Sequence, residues 1–131
     1  MLSSVLGKKF AVNSLVLILA LVVVFHVMVL AGFIPHDLVW GGALKDPARV
    51  LLLETISICI NMLMLVTVLI KGGYLSIRMS DKPIQVALWL MFSLFLLNTV
   101  GNIFSENKWE TIIFTPLTLF LAIMSFRLAI D

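Results

Sequence analysis

A carboxylate and an imidazole lie inside long apolar stretches of this 131-residue sequence. Glu54 lies within the run RVLLLETISICINMLMLVTVLI, and His26 lies within LVLILALVVVFHVMVL. A charged side chain at the centre of a membrane helix costs roughly 2.5–3.5 kcal/mol, so such groups normally face a partner or water. For Glu54 the sequence leaves open proton coupling, cation binding, contact with a ligand, or a structural hydrogen bond between helices.

The composition is that of an integral membrane protein. Hydrophobic residues make up 62% of the chain and charged residues 12%, against roughly 25% charged residues in an ordinary soluble domain. The net charge of +2 is spread thinly near the apolar segments, so we expect contact with the lipid bilayer and none with nucleic acid. With a single cysteine, Cys59, and widely separated histidines, we expect no metal and no cofactor.

Four segments are long enough to cross a bilayer, since about 20 helical residues span a hydrocarbon core of roughly 30 Å. They predict one transmembrane domain over residues 1–131, an all-α four-helix bundle. The expected helices cover residues 12–34, 47–70, 83–104 and 109–130. Pro35 is the expected end of the first, and Pro47 and Pro83 fit the first turns of the second and third.

The distribution of basic residues predicts the orientation. Six of the nine Lys and Arg residues lie on the side of the two termini and the 71–83 connection, and three lie on the other side. By the positive-inside rule both termini are expected in the cytoplasm. This asymmetry also argues against a chain that inserts in both orientations.

Polar side chains recur on one face of each of three predicted helices. Glu54, Ser57 and Asn61 are spaced by three and four residues, which places them on one stripe of the second helix. Asn98, Asn102 and Ser105 are spaced by four and three residues on the third helix. The fourth carries a threonine stripe that includes Thr115 and Thr118. We expect these faces to point toward one another.

Depth in the membrane brings the same residues together. His26 lies eight residues before Ile34 and Glu54 lies eight residues after Asp46, so each is about 12 Å deep by the helical rise. We therefore predict a polar pocket in the outer half of the bundle, with His26 as the nearest partner of Glu54. The predicted ligand-binding residues are His26, His36, Asp37, Trp40, Glu54, Ser57, Asn61, Asn98, Asn102 and Thr115.

Three stretches, PHDLVWGGAL, LLLETISICIN and LLNTVGNIF, together resemble a group of small, uncharacterised four-helix bacterial membrane proteins. The resemblance spans most of the chain and implies a bacterial inner-membrane location, but no activity. The chain is similar in size to small multidrug exporters, which carry their essential glutamate in the first helix. It lacks the paired cysteines of four-helix vitamin K epoxide reductase relatives, so neither activity is transferred.

Three functional hypotheses follow. The leading one is a protein that binds, and as an oligomer transports, a small molecule or ion through the outward-facing pocket. The second is an accessory subunit of a larger membrane complex, which the short connections would suit. The third is an intramembrane enzyme with His26 and Glu54 as an acid–base pair, which requires both side chains to reach one substrate atom.

Overall fold

The computed structural model describes residues 7–33, 47–78, 80–104 and 108–131. Within these ranges the chain is helical and contains no strand, which confirms the predicted all-α class. The four helices are α1 (Lys8–Leu30), α2 (Pro47–Lys71), α3 (Asp81–Ile103) and α4 (Thr115–Ala129), and a π-helical turn (Glu110–Phe114) precedes α4.

A glycine, rather than the predicted proline, ends the first helix. Gly32 has a φ of 89°, and the N–H of Phe33 donates to the carbonyl of Met28 at 2.9 Å. This 6→1 bond next to a residue of positive φ is the Schellman arrangement, in which glycine is favoured because it has no Cβ. The expected end at residue 34 was therefore wrong, since Gly32 stops the helix before Pro35 is reached. Gly73, with a φ of 81°, ends α2 in the same way.

The other boundaries differ by a few residues. The first helix begins at Lys8 rather than residue 12, and α3 begins at Asp81 rather than residue 83, because Pro83 fits within a first helical turn. The predicted start of the fourth segment corresponds to the π-helical turn, which the sequence analysis did not predict. Proline lacks an N–H, so Pro116 cannot bond the Ile112 carbonyl in a regular α-helix, and the π-helical turn directly precedes this defect.

The bundle consists of two helix hairpins. The α1 and α2 helices pack extensively against each other, as do α3 and α4, whereas α2 and α3 make few contacts. Contacts between α1 and α4 hold the hairpins together. We call the half that contains Lys8 and Asp131 the terminal half, and the opposite half the distal half.

The terminal half is filled by a packed apolar core to which all four helices contribute. Leu15, Leu19, Val68, Leu88 and Leu128 are completely buried there. Gly72 permits a close approach, because a Cβ at this position would lie 2.4 Å from Cγ1 of the buried Val12. The described side chains at the centre of this half are closely packed.

Four helical segments of the described chain are long and apolar enough to cross a membrane. Many large apolar side chains point outward, among them Leu63, Leu90 and Leu97. Such a surface suits contact with acyl chains, since a bilayer removes the need to bury it inside the protein. The direction in which the bundle crosses the membrane stays a prediction.

Candidate functional site

His26 and Glu54 are in direct contact between α1 and α2. The Nδ1 atom of His26 lies 2.5 Å from Oε2 of Glu54, within hydrogen-bonding distance. The Glu54 side chain is completely buried, and that of His26 is 15% exposed. The predicted proximity of the two residues is confirmed. This contact explains how a carboxyl group is accommodated within an apolar run.

Aromatic rings extend this contact toward the second hairpin. The ring of Phe25 lies edge-on to His26, with centroids 5.7 Å apart. On its other side Phe25 meets Phe114 of the π-helical turn at 6.1 Å. Such edge-to-face pairs contribute about 0.5–1.5 kcal/mol beyond the area they bury. The π-helical turn is thereby connected through Phe25 to the His26–Glu54 pair.

A cavity of about 570 Å³ lies between the four helices, from the level of His26 down to the core of the terminal half. Most of its lining side chains are apolar and come from all four helices. The polar lining residues are His26, Ser57, Asn61, Asn98, Asn102 and Thr118. The predicted pocket therefore has an apolar wall with polar groups at a few positions.

Glu54 does not line this cavity, although His26 does. The carboxyl group lies behind the imidazole and bonds its Nδ1, so Nε2 is the ring nitrogen left for a ligand. Within the described ranges no side chain bonds Nε2. The carboxyl group of Glu54 therefore contacts Nδ1 of His26 in the way that a carboxylate contacts a metal-bound or catalytic histidine.

The two asparagines of α3 differ in their surroundings. Asn98 is exposed on the cavity wall, and its amide bonds no residue in the described part of the chain. The Asn102 side-chain amide donates to the Thr118 hydroxyl at 3.4 Å, and the backbone carbonyl of Asn102 accepts a bond from the Thr111 hydroxyl at 2.8 Å. Asn98 is therefore the amide with its hydrogen-bonding capacity free.

Ser57 and Asn61 of the predicted α2 stripe do reach the cavity. The Asn61 amide donates to the Ser57 carbonyl one turn earlier at 2.7 Å, which satisfies a buried donor locally. Glu54, the third member of the stripe, lies instead against α1. A helical stripe is wide enough to face two neighbours. In α2, Glu54 faces His26, and Ser57 and Asn61 face the cavity.

Thr118, rather than the predicted Thr115, lines the cavity. Its hydroxyl donates to the Phe114 carbonyl at 2.7 Å and lies 2.9 Å from the Thr99 hydroxyl on α3. The Thr115 hydroxyl oxygen is buried and has no hydrogen-bond partner among the described residues. Thr118 belonged to the predicted threonine stripe, so the signal was present. The sequence analysis singled out Thr115 by its depth, whereas the threonine three residues further along the same helix reaches the cavity.

His36, Asp37 and Trp40, the predicted residues of the outer connection, lie outside the described residues. Their relation to the cavity stays a prediction. Among the described residues, no three His, Cys, Asp or Glu side chains come together as a metal site would require.

A cluster of charges lies at the opposite end of the bundle. Asp131 is within 3.5 Å of basic groups on three helices, namely Lys8, Lys71 and Arg127. Partial burial alone would raise the pKa of Asp131, but the charges of Lys8 and Lys71 and hydrogen bonds from Lys8 and Arg127 outweigh it and lower that pKa. The cluster joins α1, α2 and α4 where the core is tightest.

No protein family, curated protein or solved structure matches this chain. Function is therefore argued from the site alone, since a four-helix fold by itself specifies no activity. The resemblance of three segments to small bacterial membrane proteins stays a prediction.

Proposed function

We propose that this protein binds a small molecule in the distal cavity. The cavity itself is the observation that carries the proposal. Ligand sites typically have volumes of 300–1,000 Å³, mostly apolar walls and a few placed polar groups, and the cavity between the helices matches each property. A tightly folded bundle without a ligand function would be expected to fill such a volume with side chains.

In this proposal His26 and Asn98 are the main polar contacts of the ligand. The Glu54 carboxyl group holds the imidazole by Nδ1, so that Nε2 presents one hydrogen-bonding position to the cavity. The free amide of Asn98 offers both a donor and an acceptor. Ser57, Asn61, Asn102 and Thr118 are additional lining groups, and Glu54 acts through His26.

Binding is better supported than transport by one chain. The packed core of the terminal half lies below the cavity, so among the described residues the cavity does not continue to the terminal end of the bundle. Transport would require the two hairpins to separate, or assembly into a homo-oligomer. With both termini in the cytoplasm, as the basic residues predict, the cavity would belong to the outer leaflet.

The two other hypotheses have less support. An accessory subunit of a larger complex would suit the apolar surface, but that surface equally suits lipid. An enzyme that uses His26 and Glu54 as a pair would need both groups at the substrate, and Glu54 does not line the cavity. We therefore keep ligand binding as the leading function and the accessory subunit as the alternative.

Photolabelling with benzophenone tests this proposal. Benzophenone is uncharged and largely apolar, carries one carbonyl acceptor, and on irradiation bonds to nearby C–H groups. The full chain in lipid nanodiscs is irradiated with it, and the adducts are located by mass spectrometry. We expect adducts on cavity residues such as Met64, and their reduction in Leu94→Trp, which places a larger ring among the lining side chains.

Leu97→Trp is the matched control. Leu97 lies on the same helix, is 69% exposed and does not line the cavity. Labelling that is equal in Leu94→Trp and Leu97→Trp, or that is confined to the outer apolar surface, overturns the proposed function.

A further inference from the structure

The cavity has a polarity gradient along the direction in which the helices cross the membrane. Its polar residues His26, Asn98 and Asn102 lie near the distal ends of α1 and α3. Ile18 lies on the same wall as His26 but eight residues deeper, about 12 Å by the helical rise. One leaflet of a bilayer has the same gradient, from headgroups at its surface to acyl chains at the midplane.

The deep end of the cavity is almost entirely apolar. Ile18, Met64, Leu94 and Leu121 contribute its walls, and Asn61 bonds its own helix there. An acyl or isoprenoid chain fits such walls, because it leaves no polar group buried without a hydrogen-bond partner. A compact polar molecule would make no apolar contacts with the walls of this end.

The polar end presents hydrogen-bonding groups, and His26 is the only ionisable side chain among its described lining residues. Among the described lining residues there is no Lys or Arg, and the acidic Glu54 lies directly behind His26. A phosphate or carboxylate at this level would be desolvated beside a carboxyl group, which is costly without a paired cation. Hydroxyl and carbonyl groups, in contrast, match Nε2 of His26 and the amide of Asn98.

The cavity reaches the membrane-facing surface between α2 and α3. These helices make few contacts with each other, and the lining side chains Ile56, Ile60 and Asn98 beside this gap are exposed. The distal part of the contact between α1 and α4 is closed by the rings of Phe25 and Phe114. The gap between α2 and α3 is therefore a lateral opening toward lipid.

We propose that the ligand is an uncharged, single-chain amphiphile that enters from the surrounding leaflet between α2 and α3. Its hydroxyl or carbonyl headgroup bonds His26 and Asn98, and its chain lies against Ile18, Met64 and Leu121. The molecule keeps the orientation it has in the leaflet. This inference rests on the proposed function and names the substrate class of the same cavity.

The test compares two photoreactive lipids with the same diazirine-bearing acyl chain, a monoacylglycerol and a lysophosphatidate. Each is added to the full chain in phosphatidylcholine vesicles, irradiated, and located by mass spectrometry. We expect the monoacylglycerol to label residues of α2 and α3 along the cavity, and the lysophosphatidate to label them at least about tenfold less, since a tenfold ratio corresponds to only 1.4 kcal/mol. His26→Gln should reduce monoacylglycerol labelling by up to about tenfold, the size expected for loss of one hydrogen bond.

A pair of variants tests the lateral opening. Ile60→Trp places a bulky ring at the gap and should slow labelling, whereas Leu63→Trp, on the outer face of the same helix, should not. If Leu21→Trp slows labelling and Ile60→Trp does not, the route lies between α1 and α4 and the proposed opening is wrong.

The outcomes separate this inference from the proposed function. If benzophenone labels the cavity but the monoacylglycerol does not, or if the lysophosphatidate labels it equally well, the proposed ligand class is overturned while small-molecule binding stands. If Leu94→Trp suppresses none of the three probes, the proposed function is overturned as well.

Discussion

The Nδ1 atom of His26 lies 2.5 Å from Oε2 of Glu54, and this contact joins the two helices of the first hairpin beside the cavity. Because Glu54 is completely buried, the contact is made away from water, where hydrogen bonds to ionised or strongly polar groups are strongest. The contact therefore stabilises the packing of α1 against α2 and orients the ring of His26.

A double-mutant cycle on His26→Gln and Glu54→Gln should measure strong coupling. We expect a coupling free energy above about 1 kcal/mol, compared with an average of about 0.6 kcal/mol for hydrogen bonds between membrane helices. The free energy of unfolding is measured by titration with sodium dodecyl sulfate in mixed micelles. Burial of the contact is the reason for the difference.

The exposed hydrogen bond from Tyr74 to Asn13 is the matched control, because it is similarly short at 2.6 Å. The cycle on Tyr74→Phe and Asn13→Ala should give at most the average value. Equal coupling in the two cycles would show that burial adds nothing to the His26–Glu54 contact.

Thr118→Val should weaken the second hairpin. The variant keeps the shape of the side chain but removes the hydroxyl that contacts Thr99 and Asn102 of α3. We expect the free energy of unfolding to fall by about 0.5–1.5 kcal/mol. Thr55→Val is the control, since its hydroxyl bonds only the Leu51 carbonyl of its own helix. A loss as large in Thr55→Val would contradict the assigned role.

Gly72→Ala should destabilise the terminal half, whereas Gly101→Ala should not. A Cβ at Gly72 would lie 2.4 Å from Cγ1 of the buried, β-branched Val12, which has little freedom to move. Overpacking of this kind costs about 1–3 kcal/mol. At Gly101 no atom lies within 4 Å of the added Cβ, and alanine favours the helix by about 0.5–1 kcal/mol. Thermal unfolding in detergent distinguishes the two, and equal melting temperatures would refute the close approach.

Asp131 should make stability depend on pH in the acidic range. Its pKa is lowered in the folded protein, so it stabilises the fold above its ordinary pKa of about 4, and this contribution is lost as the pH falls through the lower, folded-state value. Relative to Asp131→Asn, the native chain should lose less than about 1 kcal/mol between pH 5 and pH 3, because the carboxyl group is partly exposed.

Two lysine variants test the cause of this pH dependence. Lys8→Gln should reduce it, since Lys8 lies 3.4 Å from Asp131. Lys9→Gln changes the same charge, but within the described residues Lys9 makes no ion pair. The same pH profile in both lysine variants would show that proximity to Lys8 is not the cause.

Pro116→Ala should convert the π-helical turn toward regular α-helix. The restored N–H can bond the Ile112 carbonyl, so backbone amides of residues 110–118 should exchange with deuterium about fivefold more slowly, as expected for one hydrogen bond of about 1 kcal/mol. Hydrogen exchange with mass spectrometry measures this. Pro83→Ala, in the first turn of α3, should leave exchange unchanged. No change in Pro116→Ala would mean that the π-helical turn has another cause.

The sequence predicted the features that depend on apolar length and helical period. The four helices follow from bilayer-length segments, and the approach of His26 to Glu54 follows from equal depth on neighbouring antiparallel helices. Both predictions rest on regular geometry. Both predictions hold even though the predicted helix ends differ from the observed ends by several residues.

The features that the sequence did not predict depend on side-chain volume and on departures from regular helix. Ser57 and Glu54 share a stripe, yet only the packing of α1 against α2 decides that Ser57 lines the cavity and Glu54 does not. Thr118 rather than Thr115 lines the cavity, although both lie on the predicted stripe of one regular helix. The unfilled volume itself leaves no sequence signal, since its lining residues are ordinary apolar residues of a membrane helix.

The Glu110–Phe114 segment closes its hydrogen bonds over five residues where a regular helix uses four. The π-helical turn can shift by one residue along the helix without a change in chain length. Each such shift rotates the side chains that it passes by about 100° around the helix axis. Such a shift breaks the contact of Phe114 with Phe25 and leaves the packing of the residues beyond Pro116 unchanged. The α2 helix contains no π-helical turn, and its Glu54 is hydrogen-bonded to His26, so this wall of the cavity cannot rotate in the same way.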